Sequence, residues 1–152
     1  MALNDDIALL SRVALFSDLN EDKLRLIAFG AERRRIAEGQ VLFQQGTTGD
    51  CAFVVAGGRF ELSRSDRSGN PQPVGIAERG ALLGEVAMIS PVQRKITAIA
   101  AAPSEVIRIT RPLFTRMLEE YPEIAEIVRA RIASNLKATL AGLAKIEPRL
   151  RA

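Results

Sequence analysis

Hydrophobic and polar residues follow one another along this chain with a spacing that changes twice. Near the N-terminus the apolar side chains recur at steps of three and four, which predicts a helix. These side chains are Leu3, Ile7, Leu10 and Ala14. A break at residues 16–19 is followed by Asn20, a residue type that caps helices, and Gly30 is placed to end a second helix. We therefore expect N-terminal helices over residues 1–30.

From residue 31 to about residue 110 the spacing is that of β-strands. Short apolar or alternating segments are separated by stretches that are rich in glycine and polar residues. The segments are residues 40–44, 52–56, 59–64, 73–77, 96–101 and 105–109. The turns between them are expected at residues 46–50, 57–58 and 65–71. Many short strands at this spacing predict an antiparallel β-roll.

Helical spacing returns near Thr110, which is placed as an N-cap with Pro112 in the first turn. Pro122 interrupts the pattern, and a long helix is expected from there to about Ile146. Its apolar stripe consists of Ile124, Ile127, Val128, Ile132, Leu136, Leu140 and Leu143. The period lies near 3.6 residues, which favours packing against the roll over a heptad seam between two chains. The pattern is compatible with a monomer and with a homodimer formed through this helix.

These segments together predict one domain of the α+β class. A jelly-roll-like antiparallel β-roll over residues 31–110 is flanked by the N-terminal helices, over residues 1–30, and by C-terminal helices over residues 111–146. The chain of 152 residues is long enough to bury a core as a single domain.

Composition excludes several classes of function. The absence of histidine removes the multi-histidine metal sites of β-roll enzymes and the histidine base of common nucleophilic triads. The single cysteine, Cys51, cannot form an internal disulfide, and we interpret it as a packed thiol. The N-terminus lacks the features of a signal peptide, and no apolar run is long enough to span a membrane. We therefore expect a non-enzymatic, cytoplasmic protein without a metal, a cofactor or membrane insertion.

The charge pattern gives no sign of a nucleic-acid partner. The net charge is +3, and the basic residues are spread out except for the adjacent Arg33, Arg34 and Arg35. One short basic run is far from a basic face, and we interpret it as a solvent-facing strand.

The most distinctive stretch is residues 84–97, G-E-V-A-M-I-S-P-V-Q-R-K-I-T. The apolar run at residues 86–89 predicts one or two helical turns, and the first N–H groups of a helix suit a phosphate. Arg94 can hold the same phosphate through two charge-assisted hydrogen bonds. Glu85 cannot bind a phosphate, but it can accept a hydrogen bond from a hydroxyl such as a ribose 2′-OH. A phosphate and a ribose hydroxyl in one small cradle indicate a nucleotide.

Residues 84–97 resemble the phosphate-binding cassette of cyclic nucleotide-binding domains, which occur in CRP-type transcription factors, kinase regulatory subunits and nucleotide-gated channels. The positions that match are Gly84, Glu85, Ala87, Arg94 and Thr97. A second stretch, residues 38–62, resembles the strand-and-glycine signature of the same family. The resemblance covers nearly the whole chain and implies the β-roll fold of that family.

The resemblance also implies a set of ligand-binding residues. They are Gly84, Glu85, Val86, Ala87, Arg94, Lys95, Ile96 and Thr97. Glu85 is expected on the ribose 2′-OH and Arg94 on the cyclic phosphate. Backbone N–H groups are expected to bind the phosphate oxygens, namely those of Val86, Ala87 and Ile96. Thr97 either adds a hydroxyl to the site or serves only as a strand residue.

The residue after Arg94 bears on the choice of base. Members of the family that prefer cGMP often carry threonine or serine there, whereas this chain carries Lys95, which favours cAMP over cGMP as the ligand. Lys95 and Ile96 replace small residues, which leaves open a second interpretation. In it the chain is a degenerate module that keeps the fold and binds a protein. A third interpretation is an excised regulatory domain of a channel or kinase.

The resemblance implies that the long C-terminal helix can fold over the ligand. Arg131 and Asn135 are the candidates for contact with the base, because an asparagine amide can pair with the N6 and N7 edge of adenine. Ligand binding would then shift this helix and a surface for an unidentified protein effector. Only a few residues follow Ile146, so we expect no helix-turn-helix domain of the CRP type.

Overall fold

The structure is a computed structural model that describes residues 2–17 and 19–144, with side chains described for residues 4–17 and 19–134. The helices are α1 (Ala2–Ser11), α2 (Glu21–Gly30), α3 (Arg111–Glu120) and α4 (Pro122–Ala144), with 3₁₀ turns at Ala14–Phe16 and Glu85–Met88. The strands are β1 (Glu32–Ile36), β2 (Val41–Phe43), β3 (Thr48–Gly49), β4 (Cys51–Gly57), β5 (Arg59–Ser65), β6 (Pro71–Glu78), β7 (Leu82–Leu83), β8 (Val92–Gln93), β9 (Thr97–Ala100) and β10 (Ser104–Thr110).

The helix boundaries follow from caps that the sequence predicts. The Asn20 side chain accepts a hydrogen bond from the Lys23 N–H at 3.2 Å, and α2 begins directly after it. The Thr110 hydroxyl accepts from the Leu113 N–H at 3.3 Å at the start of α3. Pro122 opens α4 after a one-residue break. These predictions are confirmed.

The first helix differs from its prediction because it ends at Ser11. The Arg12 and Val13 N–H groups donate three residues back, to Leu9 and Leu10, so the helix tightens and stops. The apolar residues that follow form a separate 3₁₀ turn, which buries Leu15 and Phe16.

The β-roll consists of two four-stranded antiparallel sheets, in the orders β1-β10-β4-β7 and β2-β9-β5-β6, and of the short pair β3-β8. The predicted fold class, an antiparallel β-roll flanked by N-terminal and C-terminal helices, is confirmed. Within the described ranges, no helix is long and apolar enough to cross a membrane.

Strand β4 is buried on both faces and separates two hydrophobic cores. Because side chains alternate along a strand, Cys51, Phe53 and Val55 enter the core inside the roll. The alternate residues enter the core beneath the helices, namely Ala52, Val54 and Ala56. The helices therefore pack against β4, the strand that also contacts the turn Glu85–Met88.

Three two-residue strands are absent from the sequence prediction. Residues 46–50 were expected to form only a turn, yet Thr48 and Gly49 form β3 and pair with Gln93 and Val92 of β8. Strand β7 pairs with Phe53 and Val54 of β4. Segments of two residues cannot display an alternating pattern, which is why the spacing of apolar residues misses them.

The basic run at residues 33–35 lies in β1, as expected of a strand. Its first residue, Arg33, makes ion pairs with Asp6 of α1 and Glu105 of β10. The run thus fastens the N-terminal helix to the roll.

Candidate functional site

Residues 84–97 leave β7 through a left-handed turn at Gly84, whose φ is 78° and ψ is 32°. A single 3₁₀ turn, Glu85–Met88, follows, and the chain returns through β8 to Arg94. A Cβ atom on Gly84 would collide with Nη1 of Arg94, and the positive φ disfavours other residues as well. Glycine is therefore favoured here for two independent reasons.

Arg94 lies inside the roll with only 7% of its surface exposed. Its Nη2 atom donates to the Cys51 carbonyl oxygen at 2.7 Å, and Cζ lies 4.6 Å from the centre of the Phe43 ring. The Phe53 ring centre is 5.8 Å away. Both distances are within the range of cation–π attraction, so the guanidinium is held between a carbonyl and two aromatic rings.

The other terminal nitrogen of Arg94, Nη1, makes no hydrogen bond in the part of the chain that the structure describes. Nη1 is buried and has no hydrogen-bond partner there, and none of the ion pairs among the described residues includes Arg94. Burial lowers the pKa of Arg94 more than the neighbouring Cys51 and Asp50 raise it. An arginine nevertheless stays charged at neutral pH. The site therefore presents a buried cationic donor against the Gly84 backbone.

The backbone of Arg94 is fixed on both sides by the segment before β3. The Arg94 N–H donates to the Thr47 carbonyl at 2.7 Å, and the Gly46 N–H donates to the Arg94 carbonyl at 2.9 Å. Gly49 also approaches closely, because a Cβ there would lie 2.9 Å from Cζ of Arg94. The close fit leaves Arg94 little freedom to leave the site.

The structure refines the predicted backbone donors. The Ala87 N–H donates to the Gly84 carbonyl at 3.1 Å and so is already engaged within the turn. Val86 is the second residue of the turn, and the first N–H groups of a helical turn have no partner within it. A single 3₁₀ turn aligns few peptide dipoles, so the positive charge of the site comes mainly from Arg94.

The other predicted residues divide between the site and the core. Glu85 is the first residue of the turn, and its side chain is 4% exposed. Ile96 is 1% exposed and packs in the core of the roll, whereas Lys95 is exposed to solvent. Thr97 accepts a hydrogen bond from the Gln45 N–H at 3.0 Å, so its hydroxyl orders the neighbouring turn. Ile96 thus packs in the same core as Phe43 and Phe53, the rings that contact Arg94.

The two candidates for contact with the base lie on α4. Arg131 donates from Nη1 to the Ser17 hydroxyl at 3.0 Å, so the structure places it against the N-terminal segment. The side chain of Asn135 is outside the described residues, as are those of Leu136, Leu140 and Leu143 in the predicted stripe.

Sequence reasoning missed two features, of which the first lies beside the cradle. Arg111 donates from Nε to the Ala87 carbonyl at 2.9 Å and from Nη2 to the Gly49 carbonyl at 2.8 Å. A cavity of about 300 Å³ beside β7 is lined by residues that include Leu62, Ala77 and Leu83, with Arg12 among them. The spacing of apolar residues could not reveal either feature, since both join segments that are distant in sequence.

Comparison with known proteins matches this chain to a protein family. The family model described as "Cyclic nucleotide-binding domain" matches residues 33–121. The chain is 25% identical over 123 residues to the cyclic AMP receptor protein of Thermus thermophilus. It is 29% identical over 114 residues to the cGMP-dependent protein kinase egl-4 of Caenorhabditis briggsae. These alignments cover 81% and 74% of this chain but only 57% and 15% of the two relatives, so the chain corresponds to a part of each.

A solved structure agrees with this family. The cyclic nucleotide-binding-like protein of Brucella abortus is 40% identical and superimposes with a TM-score of 0.69. The match covers 76% of this chain and 98% of that protein.

Proposed function

The chain belongs to the cyclic nucleotide-binding domain family and is of its regulatory type, and we propose that it binds cAMP and signals ligand binding through its C-terminal helix. The observation that carries the proposal is the buried Nη1 atom of Arg94, which lacks a partner among the described residues and faces Gly84. A buried charged donor without a partner is unfavourable. A cyclic phosphate at this position would accept its hydrogen bond.

The proposed contacts of the ligand follow the cradle. Nη1 of Arg94 and the Val86 N–H donate to the phosphate oxygens, and the Glu85 carboxylate accepts from the ribose 2′-OH. Burial strengthens both contacts, because the effective dielectric constant is lower inside the protein than in water.

The base is proposed to enter the cavity beside β7. Its walls include Leu62, Ala77 and Leu83 together with Arg12, and the apolar members suit the flat faces of a purine. The exposed Lys95 offers no hydroxyl next to Arg94, which favours adenine over guanine.

The relay is proposed to begin in the 3₁₀ turn Glu85–Met88. This turn contacts β4, α3 and α4, so a ligand that draws the turn toward Arg94 changes the contacts beneath both helices. A ligand that binds one arrangement of these helices better than another shifts the population toward it. We propose an unidentified protein effector as the receiver, and a non-enzymatic, cytoplasmic role without a cofactor.

Calorimetric titration with cAMP and with cGMP tests the proposal, after any bound nucleotide has been removed by unfolding and refolding. We expect saturable binding with cAMP preferred. Replacement Arg94→Ala should weaken binding by at least about 30-fold, the range for truncating one partner of a buried charged pair. The matched control is Arg67→Ala, since Arg67 is exposed in the turn between β5 and β6. Absence of binding by the wild-type chain, or equal affinity in Arg94→Ala, would contradict the proposal.

A further inference from the structure

Arg111 joins the two segments that enclose Arg94. It is the first residue of α3, directly after the Thr110 cap. Its guanidinium donates to Ala87 in the 3₁₀ turn and to Gly49 in β3, at 2.9 and 2.8 Å. Its backbone N–H donates to the Asp50 carbonyl at 3.0 Å. One residue of a helix is thus anchored at three points around the candidate site.

The two carbonyls that Arg111 binds belong to two walls of the site that meet beside Arg94. Gly49 lies against Cζ of Arg94, and the Ala87 Cβ atom is 3.1 Å from the point where a Gly49 Cβ would stand. Strand β3 pairs with β8, whereas the turn that contains Ala87 follows β7. These segments touch beside Arg94, and no strand pairing joins the two carbonyls, so the Arg111 guanidinium adds a side-chain link between them.

We propose that Arg111 is a positioning residue that sets the spacing of the two walls around Arg94 and couples that spacing to α3. Its Nε and Nη2 atoms lie on one edge of a planar group, so they can hold two carbonyls in a fixed relation, which the single ammonium of a lysine cannot reproduce. Because Arg111 is the first residue of α3, and α3 contacts α2, α4 and the 3₁₀ turn, a displacement of α3 would shift the link between the walls and change their spacing. By linkage, a ligand that changes the wall spacing must bias the position of α3 equally.

This inference deepens the proposed function and rests on it. The test compares wild type, Arg111→Ala and Arg111→Lys, with Arg116→Ala as the control, since Arg116 is an exposed arginine of the same helix. Two readouts are needed: the calorimetric Kd for cAMP, and amide hydrogen exchange with and without cAMP. Thermal melting of the nucleotide-free proteins shows whether each variant folds.

We expect Arg111→Ala to weaken cAMP binding about tenfold, as for the loss of one or two hydrogen bonds that hold a site. In wild type, cAMP should slow exchange in the 3₁₀ turn and in α3. In Arg111→Ala the slowing should persist at the turn and disappear in α3. Arg111→Lys should retain folding and lose most of the coupling, and Arg116→Ala should match wild type.

A purely structural role gives a different result. In that case amide exchange would be faster over the whole chain in both Arg111 variants. The affinity for cAMP would fall only as far as the lower melting temperature of each variant predicts. This result would overturn the inference. An Arg111→Lys variant that folds, binds within twofold of wild type and protects α3 equally would also overturn it. Wild type that fails to bind cAMP would instead remove the proposed function on which the inference rests.

Faster exchange at the Ile89 and Ser90 amides in nucleotide-free Arg111→Ala would support the positioning role directly. Both amides donate to the Val86 carbonyl, within and just after the turn that Arg111 holds. Unchanged exchange there would count against it.

Discussion

Two arginines, Arg33 at the surface and Arg94 in the interior, are accommodated by this fold in opposite ways. Arg33, at the seam of α1, β1 and β10, pairs with Asp6 and Glu105. Burial alone would lower the pKa of Arg33, but the hydrogen bonds and charges of the two carboxylates outweigh burial and raise it. Arg94, between the turn and β3, has no such pair among the described residues, and burial lowers its pKa.

The difference separates an arginine that fastens the structure from one that is available to a ligand. The fold neutralises the charge of Arg33 where it joins two segments, and both carboxylates gain hydrogen bonds from it. At Arg94 the fold supplies a carbonyl and two aromatic faces but leaves one donor without a partner. Unfavourable energy retained at one buried group is expected at a site that an anion completes.

The largest expected effect comes from replacing each arginine by methionine, which keeps bulk and removes the charge. Arg94→Met should weaken cAMP binding by at least about 30-fold. Its free energy of unfolding should change little, because removal of the unsatisfied Nη1 donor offsets loss of the Cys51 hydrogen bond and the ring contacts. Arg33→Met should lower the free energy of unfolding by about 1–3 kcal/mol, because Asp6 is left buried without its partner. Urea unfolding of the nucleotide-free proteins and calorimetry measure the two quantities.

The contrast between the two arginines is wrong if Arg94→Met and Arg33→Met change cAMP affinity and the free energy of unfolding alike. A large loss of stability in Arg94→Met would mean that Arg94 is primarily a structural residue. A large loss of cAMP affinity in folded Arg33→Met would mean that the seam with α1 also shapes the site.

The next effect concerns Gly84, where alanine would collide with Nη1 of Arg94. Gly69 is the matched control, because its φ of 84° is also positive and no atom lies near the position of its Cβ. Both alanine variants should lose about 1–2 kcal/mol of stability from the left-handed backbone. Only Gly84→Ala should also weaken cAMP binding, by at least about tenfold, since Nη1 is displaced. Equal affinities of the two variants for cAMP would show that the position of Nη1 does not matter.

Much of this arrangement can be predicted from the sequence, because several signals are local. The caps at Asn20 and Thr110, the break at Pro122 and the strands with alternating burial depend on neighbouring residues. The presence of Arg94 beside a glycine and a short helical turn follows from the motif of residues 84–97. Its roles toward a ligand remain predictions.

The remaining features depend on contacts between distant segments, to which a local pattern is blind. Arg111 meets carbonyls 24 and 62 residues away, and nothing distinguishes it in sequence from any other arginine after a cap. The stacking of Phe43 and Phe53 on Arg94 arises only when β2 and β4 meet inside the roll. Burial of apolar residues predicts that such side chains point inward, but not which charged group they enclose.

A smaller effect on stability tests whether Cys51 is a charged counter-ion of Arg94 or a neutral thiol. Burial and a hydrogen bond with Asp50 raise the pKa of the Cys51 thiol, although its sulfur lies 3.6 Å from Nη2 of Arg94. The folded chain therefore keeps the thiol proton to a higher pH than the unfolded chain, in which the pKa is about 8.5. Stability should be unaffected below that pH and should fall above it, by at most about 1.4 kcal/mol per pH unit.

Cys51→Ala removes this titration. The free energy of unfolding of the variant should therefore fall less than that of wild type between pH 8 and higher pH. The measurement is urea unfolding of both proteins across the alkaline range. Parallel curves for wild type and variant would show that the thiol is not perturbed. A steeper fall in wild type supports a neutral thiol at physiological pH, so that Cys51 contributes no compensating charge to Arg94.

The smallest expected effect on cAMP affinity tests whether the aromatic faces replace a counter-charge at Arg94. Phe43→Leu keeps an apolar side chain but removes the ring 4.6 Å from Cζ, and Phe60→Leu is the control in the same core. Both variants lose buried ring area, so both lose stability. Phe43→Leu should lose about 0.5–2 kcal/mol more, the range of a cation–π contact that is shielded from water. Its cAMP affinity should fall only a few-fold, because the Cys51 carbonyl still holds Nη2. If Phe43→Leu matches Phe60→Leu in urea unfolding and in calorimetry, the rings only fill space and the Arg94 charge is held by its hydrogen bond alone.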